Sequence, residues 1–408
     1  MKITKVRVFV TGKGQAQADR ERLGLPPEPA PEPPQQQPAE TKQRKGSWLS
    51  ETVIANPMSM YDEYFDRRSS WLGMGGRPIV QIETDEGVTG LGEAAGGIAT
   101  AAIIKEHLSR FLIGQSPFQV ERLWDIMFKS TLPYGRKGMP IMAISAVDLA
   151  LWDLIAKARN EPLYQTLGGP ARSKVQAYVT GNDFEKTRER GFLGQKLAMP
   201  YGPASGEEGM AKNVELVKRA RETLGPDKEI MLDCYMAWNV EYTIRMAERV
   251  APYRVKWIEE SLPPDDYEGY GIINRRVETS AIATGEHEYT RYGFQQLLDA
   301  RGAEILQPDI AWCGGLTEAK KICAMASAKH IPVIPHAGGL QPWALHLIFA
   351  EPIIPMAEFA YINGADVENH DPIYAGVESP VNGWFHLPKG IGAGIELRET
   401  AFDHMYEL

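Results

Sequence analysis

The sequence has few cysteines and no uninterrupted apolar run of the roughly 18 residues that a membrane-spanning helix needs. Its cysteines are Cys234, Cys313 and Cys323, an odd number without CxxC spacing, which leaves no complete disulfide framework. Residues 1–12 alternate like a β-strand and contain no long apolar segment typical of a signal peptide. These absences predict a cytoplasmic protein that has no membrane partner.

An excess of positive charge is also missing, because 44 Lys and Arg residues face 53 Asp and Glu residues and the formal net charge is -9. Binding to nucleic acid phosphates needs a basic surface, so this balance argues against a nucleic acid partner. It does not exclude an anionic small-molecule substrate, because a bound metal ion can reverse the local charge.

The chain divides into three parts by composition and pattern. Residues 1–170 predict an α+β capping domain, which includes a hairpin at 78–93 and a buried helix at 141–157. A Pro- and Gln-rich stretch at 26–47 interrupts this domain and predicts a flexible loop, because it offers too little apolar surface to fold. Residues 367–408 are rich in Pro and Gly and form the C-terminal part.

The middle part, residues 171–366, alternates short apolar runs with amphipathic helical segments. Repeated strand–helix alternation predicts a parallel sheet with crossover helices, and eight such units predict a closed (β/α) barrel of the TIM type. The fold class is therefore α/β, with a cap added to the barrel. The eight predicted strands are 175–181, 194–198, 229–233, 255–260, 281–286, 304–309, 331–336 and 355–360.

Most of these strands end in an acidic residue or a histidine. All strands of such a barrel point the same way, so their last side chains meet at one rim, where active sites of this fold lie. Asp233, Glu259 and Glu286 end three consecutive strands, and their carboxylates would repel one another without a cation. Oxygen ligands suit Mg2+, and no Cys or His cluster has zinc spacing, so the sequence predicts a magnesium site.

Asp309 and His336 end the next two predicted strands and are therefore expected to be neighbours. A carboxylate beside an imidazole raises its basicity and fixes its tautomer. The pair predicts a general base on the flank of the metal site. His287 directly follows Glu286 and is a candidate catalytic acid, and Trp312 lies near a strand end and is a candidate for the pocket wall.

These motifs, in this order, resemble the enolase superfamily and its mandelate racemase-like branch over nearly the whole chain. Within that branch the chain is most similar to the L-rhamnonate dehydratases, in stretches such as VDLALWDL at 147–154 and IANPMSMYDEYFDRRSSW at 54–71. The motifs that fit the superfamily are MLDCYMAWN at 231–239, KWIEESLPP at 256–264, TGEH at 284–287, QPDIAWCGGLTEAKKI at 307–322 and PHAGG at 335–339.

The resemblance implies the same magnesium ligands and the same general base, His336 with Asp309. It also adds three residues. Glu358 is implied to hydrogen-bond the enolate oxygen, Arg68 to bind the distal hydroxyls of the substrate, and Lys196 to help neutralise the substrate carboxylate. Glu358 would act as a protonated donor, because a carboxyl group among carboxylates should have a raised pKa. The implied protein is a homo-oligomer, such as an octamer, whose segment 367–408 returns to the cap.

The implied reaction is removal of the C2 proton of an acid sugar and loss of its 3-hydroxyl, which gives a 2-keto-3-deoxy acid from L-rhamnonate. The chain departs from the family at Lys196-Leu197-Ala198, where many relatives have Lys-x-Lys, and this disfavours a two-base racemase. Residues 11–60 also lack the substrate-contacting histidine of L-rhamnonate dehydratases.

Several alternatives stay open at this point. The enzyme could dehydrate fuconate, mannonate or galactonate instead, or act as an epimerase or cycloisomerase of the same superfamily. A non-catalytic barrel that binds a metal is the alternative from a different class. Either His336 or His287 could protonate the leaving hydroxyl.

Overall fold

A computed structural model describes residues 1–12, 53–65, 75–181, 183–361 and 371–408. The predicted loop at 26–47 and the predicted substrate-binding residue Arg68 lie outside the described residues.

The strands of the described residues belong to a cap sheet, a barrel sheet and a small C-terminal pair. They are β1 Ile3–Thr11, β2 Pro78–Thr84, β3 Thr89–Glu93, β4 Lys174–Thr180, β5 Gly194–Ala198, β6 Glu229–Asp233, β7 Val255–Glu259, β8 Ala281–Thr284, β9 Ile305–Leu306, β10 Ala357–Ala360, β11 Tyr374–Ala375, β12 Trp384–His386, β13 Glu396–Leu397 and β14 Met405–Glu407.

The α-helices of the described residues pack mostly against these sheets. They are α1 Gly97–Ala102, α2 Val120–Thr131, α3 Met139–Ala158, α4 Leu163–Thr166, α5 Phe184–Glu189, α6 Gly206–Leu224, α7 Val240–Val250, α8 Tyr267–Arg276, α9 Thr290–Asp299, α10 Gly315–Ser327, α11 Pro342–Ala350 and α12 Ala401–His404.

The cap sheet has the order β14-β1-β2-β3, so the last strand of the chain pairs with the first. The predicted hairpin is present as β2 and β3, which pair antiparallel. Gly87 in its turn has a φ of 79°, a left-handed conformation that glycine adopts without a steric penalty. The residues at 85–87 therefore reverse the chain as the sequence predicts.

Helix α3 is the central helix of the cap and covers the predicted helix at 141–157. By length and composition it is apolar enough to cross a membrane, but 89% of its apolar window is buried inside the protein. Burial on nearly all faces explains its composition, as expected for a core helix.

The barrel sheet runs β10-β4-β5-β6-β7-β8-β9 with parallel pairing, which confirms the predicted fold class. The seventh predicted strand differs, because residues 331–336 form only an isolated parallel bridge between Leu306 and Val333. Pro332 and Pro335 explain the difference, since proline has no N–H to donate to a neighbouring strand.

Large apolar side chains fill the inside of the barrel below its carboxyl rim, so the barrel is a packed core rather than a channel. Two residues further along several of these strands the inward side chain is polar. Asp233 follows Met231 in this way, and Glu259 follows Trp257. This change of composition places the charged groups at the rim. The interior layer is Tyr178, Met231, Trp257, Ala283, Ile305, Ile334 and Met356.

Two buried aspartates of α3 link this helix to the barrel helix α10, to the cap strand β3 and to the C-terminal segment. Asp148 accepts hydrogen bonds from the backbone N–H of Thr317 at 2.9 Å and from its hydroxyl at 2.5 Å, at the start of α10. Asp153 accepts from the backbone N–H groups of Leu91 at 2.8 Å and Ala393 at 2.7 Å. A carboxylate at a helix N-terminus satisfies donors that the helix leaves unpaired, so Asp148 fixes α10 and the rim beside it.

Candidate active site

The first group at the rim is built around one buried lysine. Lys196 is only 1% exposed, and its Nζ lies 2.5 Å from Glu259 Oε1, 2.9 Å from Glu358 Oε1 and 3.1 Å from Asp233 Oδ2. Asp233 and Glu259 pair directly across β6 and β7, so their side chains point to the same side of the sheet. We call Lys196, Asp233, Glu259 and Glu358 the lysine cluster.

The lysine cluster is closed, because its carboxylate oxygens already have donors. Glu259 Oε2 accepts from Trp257 Nε1 at 2.9 Å and from Gln307 Nε2 at 2.7 Å. Asp233 Oδ1 accepts from the backbone N–H of Tyr235 at 3.2 Å. A buried charge is tolerated when it is paired and hydrogen-bonded in this way.

Electrostatics in the lysine cluster follow from burial and from the shared cation. Burial alone would lower the pKa of Lys196, but the three surrounding carboxylates raise it well above its usual value. Burial raises the pKa of Asp233, and it raises the pKa of Glu259 to about 8 against the opposing charge of Lys196. Lys196 therefore stays charged and holds the carboxylates together.

Glu358 departs from the sequence-based expectation. It accepts hydrogen bonds from the Thr180 hydroxyl and, at 2.7 Å, from the backbone N–H of Ala337. Burial would raise the pKa of Glu358, but Lys196, His336 and these donors lower it to about 2. In this arrangement the pKa of Glu358 is therefore lowered, opposite to the sequence-based expectation of a raised pKa.

The second group lies beside the lysine cluster and contains the imidazoles. His336 Nδ1 and Asp309 Oδ2 are 2.8 Å apart, as the positions of their strands predict. Asp309 Oδ2 also accepts from Gln341 Nε2 at 3.0 Å, and Asp309 Oδ1 accepts from the backbone N–H of Ala311 at 2.8 Å. His336 Nε2 points the other way and lies 3.3 Å from Glu286 Oε1. Burial would lower the pKa of His336, but Glu286 and Asp309 raise it well above its usual value, so Nε2 is an ion-pair partner of Glu286 when the imidazole is protonated.

His287 forms a second pair of the same kind. Its Nδ1 lies 2.8 Å from Glu260 Oε2 and 2.9 Å from Glu260 Oε1. The Trp312 ring contacts both imidazoles, with centroid distances of 5.0 Å to His287 and 6.1 Å to His336. We call Glu286, His287, Trp312 and His336 the histidine face.

The histidine face is more open than the lysine cluster. The side chains of His336 and His287 are 23% and 20% exposed, whereas those of the lysine cluster are at most 3% exposed. Glu286 Oε2 is buried and has no hydrogen-bond partner among the described residues. Burial raises the pKa of Glu286 to about 7, although the neighbouring histidines oppose the shift. A buried carboxylate oxygen without a donor suits a cation as its partner.

The oxygen-rich donor set fits the predicted magnesium ion. Ligand atoms of Glu260, Glu286 and His287 lie within 4.8 Å of one another, and Glu286 supplies the unpaired oxygen. Of the three predicted ligands, Glu286 faces this group, whereas Asp233 and Glu259 hold Lys196. Hard oxygen ligands of this kind are those that Mg2+ prefers.

The structure brings together all the predicted site residues that it describes, and it adds three that the sequence reasoning missed. Glu260 has a left-handed backbone with a φ of 44°, and its carboxylate contacts His287. The sequence reasoning assigned the end of this strand to the adjacent Glu259 alone. Thr180 and Gln307 bond Glu358 and Glu259. Thr180 ends a barrel strand, so a search for any polar strand end, not only charged ones, would have found it.

Two family models match the chain. Residues 182–401 match the enolase C-terminal domain-like family, and residues 77–168 match the mandelate racemase / muconate lactonizing enzyme N-terminal domain. Together they cover the hairpin β2–β3, the cap helices α1 to α3 and the barrel strands β5 to β10.

The chain is also similar to whole proteins. It is 42% identical to the L-rhamnonate dehydratase of Saccharopolyspora erythraea over 87% of this chain and 92% of that protein. The crystal structure of L-rhamnonate dehydratase from Gibberella zeae is 34% identical, has a TM-score of 0.87 and matches 100% of this chain and 96% of that chain. The rhamnonate dehydratase from the same organism complexed with Mg has a TM-score of 0.86, 34% identity and the same coverage. The chain therefore belongs to the enolase superfamily, in its mandelate racemase / muconate lactonizing enzyme family.

Proposed function

We propose that this protein is a magnesium-dependent acid-sugar dehydratase that converts L-rhamnonate to 2-dehydro-3-deoxy-L-rhamnonate. The observation that carries this proposal is the His336–Asp309 pair, whose Nε2 faces the rim 3.3 Å from Glu286. The similarity to L-rhamnonate dehydratases over nearly the whole chain supports the choice of substrate. The protein is thus a hydro-lyase that breaks a C–H bond and a C–O bond and releases water.

The cofactor is Mg2+, in keeping with the relative solved in complex with Mg. Asp233, Glu259 and Glu286 are the residues that we propose to hold it, with Glu260 close to the last of them. When bound, the ion supplies positive charge that stabilises the negative charge developing on the substrate carboxylate. Lys196, fully buried and charged, adds a second positive charge on the same side.

His336 is the proposed base. Asp309 fixes Nδ1, so the lone pair of Nε2 faces the rim and takes the C2 proton of the substrate. The electrons of the C2–H bond move onto the carboxylate, and the resulting imidazolium keeps the proton at Nε2. The buried Asp309 carboxylate stabilises this imidazolium by its negative charge. Hydrogen bonds from Gln341 and Ala311 hold the carboxylate in place beside Nδ1.

Loss of the 3-hydroxyl completes the reaction. The C2=C3 bond forms, the C3–O bond breaks and a proton from an imidazolium converts the leaving hydroxide to water. His336 can return its proton, and His287, whose pKa is raised to about 9 by Glu260 and Glu286 against the effect of burial, is a second donor. The enol product then tautomerises to the 2-keto-3-deoxy acid.

The remaining predicted residues bind the substrate rather than react with it. Trp312 lies between the two imidazoles and forms a wall of the site. For Glu358 we propose a hydrogen bond to the enolate oxygen, for which Glu358 has to take up a proton against its lowered pKa. For Arg68 we propose contact with the distal hydroxyls, so Arg68→Ala should raise KM more than it lowers kcat. We also expect a cytoplasmic homo-oligomer.

A one-sided reaction fits the chain better than racemisation. Ala198 ends β5, where a second lysine base would lie, and it pairs in register with Asp233. A methyl group at this position takes no proton. Among the described residues, this strand end therefore supplies no second base, which favours elimination over exchange of a proton between two faces.

The experiment is a panel of acid sugars that includes L-rhamnonate, fuconate, mannonate and galactonate, assayed for 2-keto-3-deoxy acid with Mg2+ and again with excess EDTA. We expect magnesium-dependent product from L-rhamnonate at a higher kcat/KM than from any other sugar. Product from another sugar alone would replace the substrate and keep the chemistry. No product from any sugar, from a folded protein that binds Mg2+, would overturn the proposal.

A further inference from the structure

The loop that follows β8 is fastened to the cap by one lysine that no catalytic step uses. Lys137 lies two residues before α3, and its Nζ is 3.0 Å from Glu288 Oε1 and 3.2 Å from Glu288 Oε2. Glu288 belongs to the barrel and is 2% exposed. This ion pair joins a cap lysine, whose side chain is 37% exposed, to a buried carboxylate at the rim of the site.

Every oxygen of Glu288 has a donor. Tyr267 donates its hydroxyl to Oε2 at 2.5 Å, and the backbone N–H of Tyr289 donates to Oε1 at 2.7 Å. Lys137 also contacts the Tyr267 hydroxyl at 2.8 Å. A side chain at Gly293 would collide with the Glu288 carboxylate, so the carboxylate fits a space shaped by its neighbours.

The other partner of Lys137 matters less. Asp265 Oδ1 lies 2.5 Å from Nζ, but the Asp265 side chain is 79% exposed. Exposed ion pairs contribute little, because water screens them. The contact that orders Lys137 is therefore the one to the buried Glu288.

Three consecutive side chains of this loop reach three different places. Glu286 lies against His336, His287 lies against Glu260, and Glu288 lies against Lys137. The next residue, Tyr289, packs into the hydrophobic core of the cap. A shift of Glu288 would therefore move Glu286 and His287, since they share one short backbone segment.

We propose that Lys137 is a positioning residue, which holds Glu288 and thereby fixes the direction in which Glu286 and His287 face Mg2+ and the substrate. The proposal deepens the dehydratase function proposed above and rests on it. Supporting residues outside the ligand shell commonly change metal affinity or activity by about 10–100-fold when they are removed. Lys137 would change metal affinity and activity from the cap, through Glu288 and without contacting Glu286, Mg2+ or the substrate.

The experiment compares Lys137→Met, Lys137→Arg, Glu288→Gln and the double variant Lys137→Met with Glu288→Gln. Lys129→Met is the matched control, because Lys129 is a cap lysine whose partner Asp125 is exposed. Binding of Mg2+ to the substrate-free protein is measured by calorimetry, unfolding is measured by heating in EDTA, and kcat and KM are measured with the substrate that the wild-type protein turns over best.

Lys137→Met should weaken Mg2+ binding by about tenfold or more and lower kcat, and it should also lower the unfolding temperature because Glu288 stays buried without its cation. In the double variant neither residue carries a charge, so the unfolding temperature should recover. Mg2+ binding should stay weak and kcat should stay low. Lys137→Arg should keep more Mg2+ affinity than Lys137→Met, and Lys129→Met should match the wild-type protein.

Recovery of Mg2+ binding together with stability in the double variant would overturn the proposal, since Lys137 would then be structural only. Unchanged Mg2+ binding and kcat in Lys137→Met would overturn it as well. Failure of the proposed function has a different signature, because the wild-type protein would then lack dehydratase activity while the Mg2+ titrations still compare the variants.

Discussion

The lysine cluster and the histidine face lie side by side at one barrel rim, yet they handle buried charge in opposite ways. In the lysine cluster one cation, Lys196, contacts all three carboxylates, and the oxygens have donors. In the histidine face Glu286 keeps a buried oxygen without a partner among the described residues, and both imidazoles reach solvent. Among the described residues, protein donors already satisfy the carboxylates of the lysine cluster, whereas one oxygen of Glu286 still lacks a partner.

The difference explains how the protein can be stable and reactive at the same rim. A group of charges that protein donors already satisfy contributes to stability, and a metal ion that binds Asp233 and Glu259 has to compete with Lys196 for them. An open group with partly exposed imidazoles and an orphan oxygen is less stable but can accept an ion and a substrate. Changes to the lysine cluster should therefore affect folding most, and changes to the histidine face should affect binding and turnover most.

The largest effect is expected from Lys196→Met, which leaves three buried carboxylates without their cation. Removing one partner of a buried ion pair costs about 3–5 kcal/mol, so the free energy of unfolding in EDTA should fall by that amount. Denaturant titration measures it, with the exposed Lys212→Met as control. A loss below about 1 kcal/mol would show that the cluster does not depend on Lys196.

His336→Asn tests the other half and should affect turnover rather than folding. Loss of a general base costs about 10²–10⁴-fold in kcat. Stability should change little, because Asp309 keeps its bonds from Gln341 and Ala311, and Mg2+ binding should persist. Steady-state kinetics and calorimetry check the two parts, and normal turnover by the variant would remove the assignment of the base.

A matched pair of substitutions, each of which replaces a carboxylate with a neutral amide, compares the two halves directly. Glu259→Gln places an amide NH2 among the donors of Lys196, Trp257 and Gln307 and should cost about 1–3 kcal/mol of unfolding free energy. Glu286→Gln removes a buried charge with an unpaired oxygen and should leave stability unchanged or raise it by about 1 kcal/mol in EDTA.

Both of these variants should bind Mg2+ more weakly, since both residues are proposed ligands. Unfolding in EDTA and titration with Mg2+ separate the two effects. Equal losses of stability in the two variants would break the distinction between a closed and an open half.

Trp312→Phe should have the smallest effect. Trp312 is partly buried and contacts the imidazoles through its ring, and phenylalanine keeps an aromatic wall at this position. We expect a change of a few-fold in KM and about 1 kcal/mol or less in stability, measured by steady-state kinetics and thermal unfolding. A loss of kcat as large as that of His336→Asn would assign Trp312 a direct part in the chemistry.

Much of the site could be predicted from sequence because barrel strands place their last residues at one rim. The adjacency of Asp309 and His336 follows from neighbouring strands, and the 2.8 Å contact confirms it. The hydrogen-bond and ion-pair partners of Glu260 and Glu358 could not be predicted, because they depend on side-chain direction and on charges from distant segments. The backbone reversal at Glu260 and the approach of Lys196 to Glu358 have no local sequence signal.

The seventh barrel strand shows the limit of pattern alone. The apolar run at 331–336 predicts a strand, but its prolines leave too few backbone donors for more than one bridge. The chain nevertheless delivers His336 to the rim, because the backbone N–H of His336 bonds to the carbonyl of Pro308 at 3.1 Å. Tertiary contacts therefore hold the position of the residue where the ladder does not.

The sequence by itself determined the fold class, the order of the strands and most of the charged residues that reach the rim, because hydrophobic periodicity and strand–helix alternation are local properties. Only the tertiary structure decided which charges are neutralised and which stay available. That choice depends on distances between groups from different strands, such as Lys196 with Glu259 and Lys137 with Glu288, and on how much water reaches them. The division between a closed lysine cluster and an open histidine face is therefore a property of the folded rim.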